Sequence, residues 1–218
     1  MIATPAHAGV VTVQYAHALY HTGHEAAAVG INIVPVFMPG ESLIQRARND
    51  LVRIALSANV DDLLFIDADQ EWEPRAVLEI LAHNVDVVGA PVRKKTDYQE
   101  SYNVRSLTPD IPVDLNTGLL IVDSVGTGFI RLSRKALQAL WDASEPYSDG
   151  VFSNRMVFDI RIIDGALWSE DTLMCLKLGK AGFRIHVDPK LFVGHIGTKN
   201  FRGDFQNWLA RVKARKAG

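Results

Sequence analysis

Short apolar runs of strand length alternate along this chain with longer stretches of helical period, and that alternation points to an α/β sheet covered by helices. Ile2 to Thr4 reads as a short first strand and Val10 to His21 as the helix after it. Ile31 to Phe37 reads as a second strand, ended by Pro39-Gly40. Ser42, with Gln45 three residues on, has the form of a capping box, and Leu43, Ala47, Leu51, Ala55 and Ala58 recur on one face, which predicts a helix over 43–58. Leu63-Leu64-Phe65-Ile66 is the run expected of a strand buried on both faces. Pro74 suits the first turn of a helix carrying Val77, Ile80 and Leu81, and Val85 to Ala90 reads as another buried strand.

From Arg93 to Asn116 the periodicity fails and polar residues dominate, with Pro109 and Pro112 among them, which predicts a long flexible loop over 93–116. Leu119 to Val122 and Gly128 to Leu132 read as two further strands, and Ser133 as the cap of a helix carrying Leu137, Leu140 and Trp141. Ser169 reads as the cap of a helix over 173–180, stopped by Gly182, and Phe183 to Val187 as the last strand. Phe205, Trp208, Leu209 and Val212 mark an amphipathic helix in a C-terminal tail over 198–218.

With 218 residues, 48% hydrophobic and 22% charged, the chain is long enough for one substantial core, and a single domain over 1–218 is expected. A net charge of -2 gives no bulk signal of a nucleic-acid or anionic-membrane partner, although Arg93-Lys94-Lys95 and the Arg211 to Lys216 tail are locally basic. The apolar start, Met1 to Val13, has no basic flank and is interrupted by His7, then by Gln14 and His17, so neither a targeting signal nor a transmembrane segment is expected. The single Cys175 cannot form an internal disulfide and suits a reducing compartment, the cytoplasm. No sequence feature calls for an obligate protein partner.

Asp67-Ala68-Asp69 follows the Leu63 to Ile66 run at once, so two carboxylates stand at the carboxyl edge of a predicted strand, where open α/β sheets bind ligands. Hard divalent cations such as Mg²⁺ or Mn²⁺ take such oxygens together with water and substrate phosphates; an acidic turn that merely ends a strand has the same appearance. Ser169-Glu170-Asp171 puts two carboxylates in a helix first turn, where the dipole alone favours them and where Asp171 also suits a general base. Gly126-Thr127-Gly128 fits either a close backbone approach to a ligand or a β-bulge. His195, between Gly194 and Gly197, is a metal-ligand candidate or a plain loop residue, and Arg93-Lys94-Lys95 suits a diphosphate, a polyanionic acceptor or a solvated edge. His17 and His21 are helix neighbours, but no carboxylate or cysteine accompanies them, which argues against a dedicated zinc site.

In order, Ala47-Arg48-Asn49, Leu63 to Asp69, Gly126-Thr127-Gly128, Ser169-Glu170-Asp171 and Gly194-His195 resemble the GT-A glycosyltransferases, especially the family 2-like group and its short bacteriophage members. The resemblance covers roughly Met1 to Gly197. It implies a Rossmann-like nucleotide-diphospho-sugar transferase fold with a mostly parallel central sheet flanked by helices. It also implies a donor that is a nucleotide-diphosphate sugar, a Mn²⁺ or Mg²⁺ ion, and an acceptor that is a glycan or polysaccharide or modified, hydroxymethylated phage DNA. Asp67 and Asp69 match the DxD motif, Asp69 as the more direct metal ligand and Asp67 nearer the donor's ribose or sugar, and His195 matches the histidine that joins the metal; Asp171, with Glu170, matches the motif whose last acid is the base in inverting members. Arg48 matches a donor-contacting arginine near the diphosphate, and Thr4-Pro5 the end of the first strand, where the nucleotide base rests. Lys95, Gly126 and Gly128 complete the expected donor-binding set.

Two other readings share parts of this pattern. A nucleotidyltransferase would have the sheet and acidic site but also a glycine- and lysine-rich loop after the first strand, whereas Met1 to Gly23 contains no lysine or arginine. A non-catalytic nucleotide-sugar-binding module would keep the fold without turnover.

Overall fold

The computed structural model describes residues 1–108, 110–148 and 150–217, the last three of these by backbone alone. Pro109, expected in the polar loop, therefore lies outside the described residues, as do the side chains of Arg215 and Lys216 in the basic tail.

The chain opens with β1 (Ile2–Ala6), α1 (Val13–Ala28), β2 (Pro35–Pro39), α2 (Ile44–Ser57) and β3 (Asp62–Ile66). A short β4 (Gln70–Trp72), α3 (Arg75–Ala82) and β5 (Val87–Gly89) follow. Next come β6 (Val104–Arg105), β7 (Leu120–Val122), β8 (Ser124–Val125), β9 (Phe129–Ser133) and α4 (Arg134–Asp142). Two small hairpins, β10 (Pro146–Ser148) with β11 (Ser153–Arg155) and β12 (Arg161–Ile163) with β13 (Ala166–Trp168), precede α5 (Glu170–Lys180). The chain closes with β14 (Ile185–Val187), β15 (Val193–Ile196), β16 (Asn200–Phe201) and α6 (Phe205–Ala217).

Seven strands form the main sheet in the order β2-β1-β3-β9-β5-β14-β7. β1, β2, β3, β5 and β14 point one way, while β9 and β7 run against their neighbours. This is the mostly parallel, helix-flanked α/β sheet that the GT-A resemblance implies. β3 explains how the layers close. Successive strand side chains face opposite sides, so Leu63 and Phe65 pack with α2, α4 and α5, while Leu64 and Ile66 pack with α1 and α3. None of the four is more than 2% exposed. Among the described residues no helix is long and apolar enough to cross a membrane.

Several boundaries differ from the sequence expectation for local reasons. α1 starts at Val13 rather than Val10 because the Thr12 hydroxyl accepts from the Tyr15 amide, and it runs on to Ala28. The following turn uses Gly30 at φ 77°, so Ile31 to Val34 are spent as connector and β2 begins only at Pro35. The Ser42–Gln45 capping box does not form. Instead the Glu41 carboxylate accepts from the Leu43 amide at 2.8 Å and pairs with Arg46, and α2 begins at Ile44. Ser169 does stand at the N-cap of α5, but its hydroxyl goes to the Asp171 carboxylate rather than to a helix amide, and the helix begins at Glu170.

The segment over 93–116, expected as a flexible loop, makes several pairings. An Arg93–Tyr102 bridge, the β6–β8 pair and a Val113–Leu120 bridge tie it down, and the Tyr102 ring is buried against Phe205 and Trp208 of α6 at 4.8 and 5.2 Å.

Candidate active site

β1 and β3 are parallel neighbours, so their carboxyl ends emerge on the same edge of the sheet, and Asp67 is the first residue beyond β3. The acidic loop is held from several sides by backbone bonds. The Asp67 amide donates to the Gly128 carbonyl at 3.1 Å, Gln70 N to the Asp67 carbonyl at 3.1 Å, Thr12 N to the Ala68 carbonyl at 3.0 Å, and Ile196 N to the Asp69 carbonyl at 2.8 Å. The acids, the glycine turn and the histidine strand are thereby fixed to one another through main chain rather than through mobile side chains.

Arg48 enters from α2, and only 4% of it is exposed. Its two terminal nitrogens donate to different elements: Nη2 to Asp67 Oδ1 at 3.0 Å and Nη1 to Glu170 Oε1 at 2.7 Å. A buried guanidinium needs this much compensation. The arrangement spends Glu170 on Arg48, leaving Asp171 as the acid of that pair without a cationic partner among the described residues. Asp171 Oδ1 takes the hydroxyl of Ser169 and the amide of Thr172, the latter at 2.7 Å, and these bonds fix the carboxylate at the start of α5.

Asp69 turns the other way. Lys95 Nζ donates to its Oδ2 at 2.5 Å, and His195 Nε2 lies 3.5 Å from its Oδ1. Burial alone would raise the Asp69 carboxyl, but His195 and Lys95 outweigh it and hold it at about 2. His195 Nδ1 lies 2.9 Å from the Arg93 carbonyl, which can only accept, so that nitrogen carries the proton. That leaves Nε2 as the nitrogen that faces Asp69, and it is the one a metal-binding imidazole would offer once free of a proton.

Two adjoining recesses share Arg48, Asp67 and His195. One, of about 380 Å³, also reaches Pro5, Thr12 and Asp69; the other, of about 200 Å³, is lined by Gln70, Asn103, Gly126 to Gly128, Glu170 and Asp171. Gln70 Oε1 and Thr127 Oγ1, both in the walls of the second, are buried without a hydrogen-bond partner among the described residues. Buried polar atoms are rarely left so, and these two suit a polar ligand. The glycines are small for a reason. A Cβ on Gly126 would lie 2.7 Å from Asn103 Nδ2, and one on Gly128 would lie 3.3 Å from Asp67 Oδ2.

Most of the site residues expected from the sequence therefore surround one cleft: Pro5, Arg48, Asp67, Asp69, Gly126, Gly128, Glu170, Asp171 and His195 line it, and Lys95 reaches it through Asp69. Thr4 does not face it. Its side chain is fully buried and its hydroxyl pairs with the Tyr15 phenol, because residues of β1 alternate and Thr4 points into the layer under α1. Nor do Asp67, Asp69 and His195 form the expected trio, since Arg48 holds the Asp67 carboxylate; among the described residues no three His, Cys, Asp or Glu side chains are grouped to hold a metal ion. Gln70 and Asn103 are among the lining residues that the sequence did not single out. Asn103 shows why. Its Oδ1 accepts from the Val92 amide across the loop at 2.8 Å, a contact with no local sequence signature.

No family model and no curated protein matches the sequence. Solved structures do. A197 from STIV is 15% identical, with 90% of this chain and 84% of that one aligned at a TM-score of 0.52. The chain shares the fold of A197. Two weaker likenesses are a glycosyltransferase involved in glycosylation of the major capsid of PBCV-1 and HddC from Yersinia pseudotuberculosis complexed with GMP-PN. The first is 12% identical, covers 63% of this chain and 61% of that one, and has a TM-score of 0.34. The second is 11% identical, covers 83% and 96%, and has a TM-score of 0.35.

Proposed function

We propose that this protein is a metal-dependent glycosyltransferase that moves a sugar from a nucleotide-diphosphate donor to an acceptor hydroxyl, with inversion at the anomeric carbon. The observation that carries the reading is the division of labour in one cleft: Asp69 and the Nε2 of His195 on one side, an unspent Asp171 carboxylate on the other, and buried Arg48 between them. Asp69 and His195 would hold Mn²⁺ or Mg²⁺, with donor phosphates and water completing the shell, as is usual for a site that offers few protein ligands. Bound there, the ion would neutralise charge on the departing nucleoside diphosphate.

The remaining work falls to the chain itself. Arg48 supplies a fixed cation to the donor side of the cleft, and Lys95, now on Asp69, is a second cation within reach of a diphosphate. Pro5 and Thr12 line the recess nearest β1, where the nucleotide rests in this reading. Asp171 takes the proton of the acceptor hydroxyl as that oxygen forms its bond to the anomeric carbon, and the bond from that carbon to the diphosphate oxygen breaks. Glu170 positions Arg48 rather than the acceptor.

A glycan or other small acceptor fits better than modified DNA, because three of the basic residues that would meet a polyanion are already engaged. Arg93 donates to the Arg202 carbonyl, Lys95 is on Asp69, and Arg211 pairs with Glu100 at 2.6 Å. Calorimetric titration with UDP, GDP, CDP and TDP, with and without Mn²⁺, tests the reading. Manganese-dependent binding of one nucleotide is expected, and silence with all four would overturn it.

A further inference from the structure

A second cavity, of about 430 Å³, lies beside the cleft. Ile121 and Val122 of β7, Ile185 of β14 and Leu176 of α5 line it, together with Phe183 and Trp168. Three cations stand in its wall, Arg105, Lys180 and Arg184, all on exposed residues, with the Arg105 guanidinium 5.2 Å from the Trp168 ring centre. Among the described residues none of these three has a carboxylate partner. One carboxylate also stands in the wall, Asp123, whose Oδ2 accepts from the Leu107 amide, so the wall carries three cations against one acid. Apolar walls with a cationic rim select one chemistry, an apolar body that carries an anion.

Its position gives that chemistry a role. Three segments of the chain line both spaces: Asn103, Gly126 and Asp171 face the cleft, while Arg105, Ser124 and Thr172, one or two residues away, face the cavity. Thr172 is also the residue whose amide holds the Asp171 carboxylate. A molecule seated in the cavity therefore touches the residue that follows the proposed base on α5. We infer that the cavity is the acceptor subsite and that it takes an apolar chain or ring bearing a phosphate-like anion, the acceptor hydroxyl reaching Asp171. This rests on the glycosyltransferase reading above. A sugar polymer alone would leave the apolar walls facing polar groups and the three cations unpaired.

The test uses the full chain without donor and titrates it with decyl phosphate, with decyl maltoside and inorganic phosphate as controls. Saturable one-to-one binding of decyl phosphate is expected, about tenfold or more tighter than either control, since a charge-assisted bond is worth about that factor. Leu176→Trp fills the cavity and Arg184→Glu reverses a rim charge on an exposed residue; each is expected to weaken decyl phosphate by about tenfold while leaving nucleotide binding with Mn²⁺ as in the wild type. Equal binding of the maltoside, indifference to both variants, or tighter binding of a DNA oligonucleotide than of decyl phosphate overturns the inference. The nucleotide titration separates the two readings: if nucleotides fail while decyl phosphate still binds and responds to the variants, the transferase reading falls and the cavity keeps its ligand class but loses its acceptor role. Neutral vesicles with and without a long-chain alkyl phosphate then separate a membrane-borne ligand, which pulls the protein down with loaded vesicles, from a freely soluble one, which does not.

Discussion

Asp69 and Asp171 are both carboxylates at the ends of regular elements, yet their surroundings assign them opposite work. Asp69 is clasped by Lys95 and His195 and held at about 2, so it stays ionised and is a poor proton acceptor. Asp171 is held by the Ser169 and Thr172 hydroxyls and the Thr172 amide, which orient it without adding a positive charge. Replacing Asp69 with Ala is therefore expected to abolish the manganese-dependent part of nucleotide binding. Asp171→Asn is expected to leave that binding intact and to lower transfer by about 10²- to 10⁴-fold, the usual worth of a general base. Calorimetry and a transfer assay on the same two variants check this, and equal loss of nucleotide binding in both means the roles are misassigned. Cys175 gives a prediction independent of function. Burial pushes its thiol from 9.0 up to about 12. The unfolded thiol ionises first, so unfolding releases a proton and this group's contribution to stability is lost as pH rises from 9.0 toward 12. Below that range the folded thiol is protonated and buried, and iodoacetamide at mildly alkaline pH is expected to label Cys175 in denaturant but not in the native protein.

The elements that carry the site were the legible ones. β3 is a run of four apolar residues because both of its faces are covered, and such a run followed by acids can be recognised without a structure. Ser133 was equally readable: its hydroxyl accepts from the Ala136 amide at 3.2 Å and also donates to Asp86 at 2.7 Å. Ser133→Ala is expected to cost about 1–2 kcal/mol in urea unfolding, and a cost near zero would mean that α4 is held by its buried face alone. What could not be read is the set of short strands, β4, β6, β8, β10 to β13, β15 and β16. Each is two to four residues long, and its pairing partner is often far away in sequence, as with Gly194 of β15 opposite Glu71 of β4. So few residues carry no measurable period, and most of these pairings arise from tertiary contacts; β12–β13 is different, because Asp164-Gly165, at φ 50° and 78°, is a two-residue hairpin turn legible in the sequence but not read there. The same limit hid Asn103 and Gln70. The Ser42–Gln45 box failed for a related reason, since Glu41 reaches the exposed Leu43 amide first.

At the scale of the whole molecule, the C-terminal helix and the polar segment after β5 support one another. Tyr102 packs edge-on between Phe205 and Trp208, Trp208 Nε1 donates to the Glu100 carbonyl at 2.8 Å, and Arg211 pairs with the Glu100 carboxylate. That segment also carries Lys95, which reaches Asp69, and the Arg93 carbonyl, which fixes the tautomer of His195. A helix far along the chain thus braces one wall of the cleft without touching it. Phe205 is 4% exposed, so Phe205→Ala is expected to cost about 3–5 kcal/mol if the loss is felt throughout the fold. If α6 and residues 93–105 instead open as a local unit, global stability changes less, while amide exchange rises selectively over those two segments and manganese-dependent nucleotide binding weakens with it. Hydrogen exchange on the variant, read beside its unfolding curve, decides between these. Exchange unchanged over 93–105 would mean that the β6–β8 pair and the Arg93–Tyr102 bridge hold the wall without help from the C-terminal helix.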